Sequence, residues 1–563
     1  MSRVKKVSID LMAIFILLIC TVFLCQKART GYIFNDEPFM ITLGHRILKG
    51  DRFFIDEYNS AQLTGLFYVP FVWLFTAVTK STTGMILFLR YVYVAWQVFV
   101  SVILYLRLKQ YGWISIICVL FYVLFTPLDE MSLTYNVMAS SCILLFDTYF
   151  LVKGNHIKDY LAGVCLSVAV IAYPYLIFLY FIWALSVILI NSVFKKRFTT
   201  SYNVFDWKKF LRISSVCAVG ATILLAAVFS RGFNDVFASL KRILQTGSSN
   251  NSVIDLFREM GSIFRLILAF VFVIGVVSSI DRNREKRARF YFFAQSLLWL
   301  VAMIILIRKN FWSFNVIMFP VSLLGLQAFI LTKKKNWQLL IIFGVTAAVY
   351  SYVALVSSDT IWFAFSTGTV PLGLVSFVMI LDLYQEIDKS KIAVKWASGF
   401  ILFAIIMVQL CGQGYIRLNR NYWDETGFVL SSKIKVGSAK GICTSAGYKA
   451  SYESVYGDLT RIMELTGENK KTKFLSLSLF PSVYLDLDYE YGTCSSWTYY
   501  QNRKNFPEMN RKLNQYYASH PEKIPDCIYI LNDDIELLGQ LDFVNFSDYK
   551  QIDLETGRVY IKK

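Results

Sequence analysis

Apolar runs of about twenty residues recur along most of this chain, at 9–25, 84–106, 112–126, 134–152, 160–175, 177–194, 211–229, 262–280, 290–307, 311–331, 337–356, 361–381 and 396–412. A run of that length crosses the hydrocarbon core as one α-helix, because a helix satisfies its own backbone hydrogen bonds where water is absent. The chain is therefore expected to be a polytopic α-helical membrane protein with about thirteen crossings. Composition agrees: 56% of its 563 residues are hydrophobic and only 17% charged, too few for the polar shell of a soluble protein this large. The first run, preceded by Arg3, Lys5 and Lys6, has the look of a signal peptide. No small-residue cleavage site follows it, so it reads as a retained helix.

Charge sets the orientation. With the N-terminus cytoplasmic and the runs alternating, the inner loops carry Arg107 and Lys109, Lys153 and Lys158, residues 195–197 with Lys208 and Lys209, residues 282–289, residues 333–335, and Lys389, Lys391 and Lys395. That distribution follows the positive-inside rule and absorbs most of the net charge of +18. Nucleic acid is not expected as a partner, since no basic helix or aromatic–basic array is present. The apolar stretch 66–79 is too short for a crossing on this count and reads as a juxtamembrane or re-entrant helix. The stretch 160–194 must break into two helices at Tyr173, Pro174 and Tyr175, or every later loop changes sides.

Two regions emerge, 1–412 as the transmembrane part with a first outer loop at 26–83, and 413–563 as a small extracytoplasmic α/β domain. In the second, residues 473–480 alternate at the strand period and 527–531 form a short apolar run, while 452–465 and 507–519 have helical spacing. Ten cysteines are scattered without a CxxC pair, and the three in this domain, Cys443, Cys494 and Cys527, show no pairing pattern.

The outer loops hold the polar residues that need explaining. Asp36 and Glu37 follow the first helix by about ten residues, at the interface, where a partly desolvated carboxylate can act as a general base. The competing reading of Asp36 is a helix N-cap ahead of Pro38. Asp129 and Glu130 fall on the same side after the third run, either as solvated loop charges or facing the first pair. In the latter case the two sites position an acceptor or hold a divalent metal through Asp36 and Asp129, the one cofactor the residues suggest. Arg231, Arg258, Arg308 and Lys309 run against the positive-inside trend and are candidates for the anionic head group of a polyprenyl phosphate. Their alternative is interfacial snorkelling. His45, Arg46 and Asp56 lie further along the first loop as acceptor-side or loop-supporting residues. Three histidines give zinc chemistry little material, and no Walker, GxSxG, HExxH or strand-to-helix GxGxxG motif is present.

Asn35-Asp36-Glu37-Pro38, then the run from Ile47 through Gly50 to Asp56, then a short apolar helix from Leu66, resembles the GT-C membrane glycosyltransferases. The nearest likeness is to the family-39-like branch, with the protein O-mannosyltransferases and the lipid A aminoarabinose transferase. The specific motifs cover residues 30–70, with weaker agreement to 150. The resemblance implies a GT-C fold and inverting transfer of a sugar from a polyprenyl-phosphate carrier to an outer-face glycan, lipid or protein acceptor. It puts Asp36 on the catalytic acidic position, Glu37 beside it, and Asp129 or Glu130 on a second acidic site. A lysine- and proline-rich stretch of the family is replaced here by residues 62–70, so sugar and acceptor do not carry over. A bacterial plasma membrane suits the loops. The alternatives are a transporter or flippase of lipid-linked glycans, which would place charges at the bilayer midplane, and a glycan polymerase or ligase, which would lean on outer-loop arginines.

Overall fold

The computed structural model describes residues 3–126, 130–152, 155–192, 205–229, 318–332, 336–357, 361–386, 392–422, 424–427, 430–478, 480–497, 506–532 and 541–563, with isolated positions between 232 and 304. The protein is mostly helical, with a small sheet near its C-terminus. Among the described residues seven helices are long and apolar enough to cross a membrane: Val7–Lys27, Gln62–Thr79, Met85–Tyr111, Pro174–Ser192, Trp207–Phe229, Trp337–Val356 and Lys395–Asn419. Shorter apolar helices, such as Ile114–Leu124, Met318–Leu331 and Val370–Gln385, pack among them. This is a multi-pass membrane protein. The run 262–280 and most of 290–307 lie outside the described residues, as does most of the stretch between Phe229 and 262.

Two sequence readings change. The stretch at 66–79 is a continuous helix once its leading 3₁₀ turn is included, Gln62–Thr79, and at 18 residues it joins the candidate spans rather than falling short of them. The last span does not stop at 412 but runs as Ile392–Asn419. Its final turns contain Gln413 and Arg417, which end an apolar window although the backbone stays helical. The expected break does fall where Pro174 lacks a backbone N–H: one helix ends at Ala172, and a 3₁₀ turn, Pro174–Leu176, leads into the next.

Four helices position the face that meets the C-terminal segment: α1 (Arg3–Lys27), α2 (Asp36–Leu48), α3 (Gly65–Thr79) and α4 (Met85–Leu108). α1 turns apolar side chains such as Phe15 and Val22 outward and buries Leu24. α2 is short and buried on nearly every side, because it lies between the helical bundle and the C-terminal segment. It crosses α3 at a glycine–glycine contact. A Cβ on Gly44 would stand 2.6 Å from the Cβ of Tyr68, and one on Gly65 would stand 2.8 Å from the backbone of Leu43. Either addition would force the helices apart.

The C-terminal segment holds a two-stranded hairpin, β1 (Ser432–Lys433) and β2 (Cys443–Thr444), and a five-stranded sheet. The sheet comprises β3 (Lys473–Leu477), β4 (Glu490–Tyr491), β5 (Cys527–Leu531), β6 (Tyr549–Asp553) and β7 (Gly557–Lys562) in the order β4-β3-β5-β7-β6. β3 runs parallel to β4 and β5, and β7 runs antiparallel to β5 and β6. Alternation along the strands sends Leu475, Leu477, Ile528 and Ile530 to one face, against Leu513 and Tyr516 of the helix Phe506–Ser519. Phe474, Cys527 and Tyr529 face Leu459 and Ile462 of the helix Ala446–Thr466 on the other. All ten cysteines are free thiols.

The two parts are stitched together by backbone. Gly31 donates to the carbonyl of Cys443, Cys443 to that of Arg29, Gly84 to that of Gly437 and Ile86 to that of Ser438. Tyr58 and Phe54 of the loop between α2 and α3 insert into the sheet's own apolar core.

Candidate active site

α2 begins where the bundle meets the C-terminal segment. Its N-cap is Asn35, whose side chain accepts from the backbone N–H of Asp36. Asp36 is thus the first helical residue, and the capping role anticipated for it belongs to its neighbour. That leaves the Asp36 carboxylate free to face the interface, where the helix N-terminus favours negative charge.

The hydroxyl of Tyr422 donates to Asp36 Oδ2. Tyr422 stands three residues past the last span with φ +56°, a left-handed conformation rare for a bulky side chain. Burial raises the Asp36 pKa above the ordinary carboxylate value, and the tyrosine hydrogen bond works against that rise.

Glu130 completes the cluster. It is buried at 8% exposure, on a segment held by Thr126 Oγ1 donating to the Glu130 carbonyl at 2.9 Å and by Tyr68 and Ser132 hydroxyls 2.6 Å apart. Desolvation, then the negative charge of Asp36, pushes its pKa up to about 8, against the pull of the Thr134 hydroxyl. Among the described residues its Oε2 has no hydrogen-bond partner. One buried carboxyl is thereby kept neutral beside a second that is held ready to ionise.

Glu37 stands next to the pair, yet both its oxygens are engaged. Arg90 on α4 binds it in a fork, Nε to Oε1 at 2.8 Å and Nη2 to Oε2 at 2.5 Å. Arg90 Nη1 also donates to the carbonyls of Ala28 at 3.1 Å and Gly31 at 2.8 Å. The unit locks the end of α1, the start of α2 and the face of α4 into one arrangement, which in turn aims Asp36.

The remaining loop residues lie elsewhere. His45 contacts the Tyr491 hydroxyl through Nδ1 at 2.8 Å and Asp488 through Nε2 at 2.9 Å; burial lowers its pKa, keeping the imidazole neutral. Arg46 is buried between Asp51 at 2.8 Å and Glu57 at 3.1 Å, with its guanidinium 4.7 Å from the Tyr491 ring centre. Asp56 receives Arg52 and is held down to about 2 despite its burial. His45 and Arg46 tie this stretch to the C-terminal segment and Asp56 braces the loop from within, rather than joining Asp36. Arg258 is an exposed helical position whose chain neighbours lie outside the described residues. Asp129, Arg231, Arg308 and Lys309 lie outside the described residues. Among the described residues no group of three or more His, Cys, Asp or Glu side chains is placed to hold a metal; Asp36 and Glu130 offer two carboxylates.

Sequence reading missed Tyr422 and the role of Arg90. An arginine six residues into an otherwise apolar span was the available signal, since a membrane helix retains such a charge only when it is paired.

No family model matches the chain, and no curated protein matches it. Among solved structures it is similar to ArnT from Cupriavidus metallidurans bound to undecaprenyl phosphate, at 9% identity and TM-score 0.46, over 98% of this chain and 97% of that one. It is similar to an Archaeoglobus fulgidus oligosaccharyltransferase tethered to an acceptor peptide, at 10% identity and TM-score 0.43, over 98% and 74%. The same holds for the oligosaccharyltransferase AglB of Archaeoglobus fulgidus in complex with an inhibitory peptide and a dolichol-phosphate, at 11% identity and TM-score 0.41, again over 98% and 74%. These neighbours are GT-C fold glycosyltransferases, the class that the Asn35–Pro38 stretch resembles. At TM-scores below 0.5 the likeness assigns no reaction to this chain.

Proposed function

We propose that this protein is an inverting glycosyltransferase that moves a sugar from a polyprenyl-phosphate carrier to an acceptor hydroxyl at the outer face of the plasma membrane. The observation that carries the reading is the Asp36–Tyr422–Glu130 cluster at the junction of bundle and C-terminal domain. It pairs an ionisable carboxylate with a neutral one at the end of the helical bundle.

Asp36 takes the proton of the acceptor hydroxyl. The hydroxyl oxygen attacks the anomeric carbon, the bond from that carbon to the phosphate oxygen breaks, and the electron pair leaves with the lipid phosphate. Tyr422 orients the base. Glu130, holding its proton, avoids a second negative charge that would raise the Asp36 pKa further. Glu37 and Arg90 serve as positioning residues. Residues 413–563 cap the site and present the acceptor.

The test is sugar transfer by the purified protein in lipid, with radiolabelled polyprenyl-phosphate sugars extracted from the host membrane. Asp36→Asn is expected to lose about 10²–10⁴-fold of the rate while still binding carrier. Equal rates in the two proteins would remove Asp36 from the role of base.

A second reading, transport of the lipid-linked glycan, draws on Asp147. This carboxylate is wholly buried in the helix Tyr135–Phe150, with Thr346 its hydrogen-bond partner at 2.9 Å and Oδ1 unpartnered. A buried intramembrane acid beside the π turn Leu340–Gly344 is a feature of translocating proteins as well. Wild-type protein that binds carrier and transfers nothing would favour it.

A further inference from the structure

The hairpin of β1 and β2 sits on the ends of two candidate spans. The N–H of Cys443 donates to the Arg29 carbonyl at 2.7 Å, just past α1. The carbonyls of Gly437 and Ser438 accept from Gly84 at 3.0 Å and Ile86 at 3.1 Å, at the start of α4. The seat is close: a Cβ on Gly441, at φ +96°, would stand 2.9 Å from the Leu87 side chain. Ile434, Ala439 and Ile442 are buried in the apolar core that the hairpin shares with the bundle. That leaves Lys433, Lys435 and Lys440 on the outside, and all three are exposed.

Two more cations flank the seat. Arg29 donates through Nε to the Tyr91 hydroxyl of α4 at 2.6 Å, and Lys80 caps α3 in a left-handed conformation, φ +55°. Both are exposed. Among the described residues the side chains of Arg29, Lys80, Lys433, Lys435 and Lys440 are not paired with any carboxylate. The acids beside the hairpin are already engaged. Glu453 accepts from the backbone N–H of Lys435 at 3.1 Å and stands 3.6 Å from Lys449 Nζ, and Asp486 accepts from the N–H of Ser438 at 2.6 Å. Cations gathered this way repel one another, and an anion at their surface relieves the repulsion.

Beside the cations the surface is apolar. Val22 on α1, two turns before Arg29, and Val78 on α3, just before Lys80, are both exposed. A residue just past the end of a span stands at head-group level, where Arg, Lys and Tyr put a polar tip above an apolar body. Apolar flank and cationic rim thus follow one another in the order of acyl chain and head group.

We propose that the β1–β2 hairpin, with Arg29 and Lys80, is a docking surface for anionic phospholipid. Head groups of the leaflet at this end of the bundle lie against the five cations, and their acyl chains lie along α1 and α3. A soluble polyanion would meet the charge and leave the apolar flank uncovered, which favours the bilayer. Ile86 bonds the hairpin one turn ahead of Arg90, so lipid bound here steadies the end of α4 that holds Glu37. Lipid docking at this surface is independent of the reaction at Asp36.

The full-length protein is placed in nanodiscs of phosphatidylcholine alone, or of equal parts phosphatidylcholine and phosphatidylglycerol. Hydrogen exchange of residues 432–444 is then followed by mass spectrometry. Phosphatidylglycerol is expected to slow exchange there at least about fivefold, the factor for one basic side chain engaged at an anionic surface, and added salt is expected to reverse it. Exchange in the edge strand β6 is expected to be the same in both bilayers. Lys433→Gln, Lys435→Gln and Lys440→Gln combined should abolish the slowing, and the same three positions changed to Arg should keep it. These side chains are exposed, so neither variant disturbs the core. Equal exchange in the two bilayers, or slowing that survives the loss of all three lysines, would overturn the surface. Slowing by soluble polyphosphate in phosphatidylcholine nanodiscs, with none from phosphatidylglycerol, would overturn lipid as the partner.

Discussion

Asp36 and Glu130 are both carboxylates beside an apolar bundle, and their surroundings set their protonation apart. Glu130 keeps its proton to about pH 8, while Asp36, relieved by Tyr422, loses its proton earlier. Plotted against pH, kcat/KM should rise as Asp36 ionises, above the usual carboxylate range, and fall near pH 8 as Glu130 loses its proton. Tyr422→Phe removes the bond that lowers the Asp36 pKa, so the acid limb should move to higher pH. Stability carries the same signature. A carboxyl whose folded pKa is raised holds its proton more tightly when folded, so its contribution falls as pH rises from the unfolded value near 4.5 through about 8. Glu130→Gln should therefore melt higher than wild type at pH 8 and nearly alike at pH 4, by thermal denaturation in detergent. Asp36, Glu37 and Glu130 were legible in the sequence because adjacent acids are conspicuous at the edge of apolar runs. Tyr422 was not, since it meets Asp36 across 386 positions and tyrosine is common in this chain.

At the scale of elements, α2 is aimed by an ion pair rather than by its own stability. Its 13 residues are near the lower limit for a helix to persist unaided. Arg90→Met would leave Glu37 buried and uncompensated, a loss of about 3–5 kcal/mol by denaturation. Adding Glu37→Gln to that variant should recover part of it, the mark of a direct coupling. Helix positions in the bundle followed from hydropathy, and their ends did not. Gln413 and Arg417 close an apolar window, so 412 looks like the end of a span that continues to Asn419. The glycines that let α2 and α3 cross are invisible to a hydropathy count, because what they supply is absent volume.

At the scale of the whole molecule, charged and polar contacts latch α2 and the loop after it to the C-terminal segment. Asp488 gathers His45, Lys49 and Lys470 at 2.9, 2.7 and 2.6 Å, and Lys523 reaches Asp51 at 2.7 Å. These partners hold the Asp488 pKa below the ordinary carboxylate value. The sign is the reverse of that for Glu130: the latch is at full strength above about pH 4 and is lost as pH falls through the folded value. Asp488→Asn should lower the Tm at pH 7 and lose that difference in acid. It should also speed hydrogen exchange in α2. Strands and helices of the C-terminal domain could be read from their periodicities, but the sheet order could not, because β3 and β5 pair across an intervening strand and two α-helices. The bond between Tyr422 and Asp36 has a last consequence for how the protein is made. A ribosome delivers Asp36 early, and the residue that tunes it arrives only after the final span has been threaded into the bilayer. A nascent or truncated chain thus carries its acid without the hydroxyl that lowers the acid's pKa, until synthesis is nearly done.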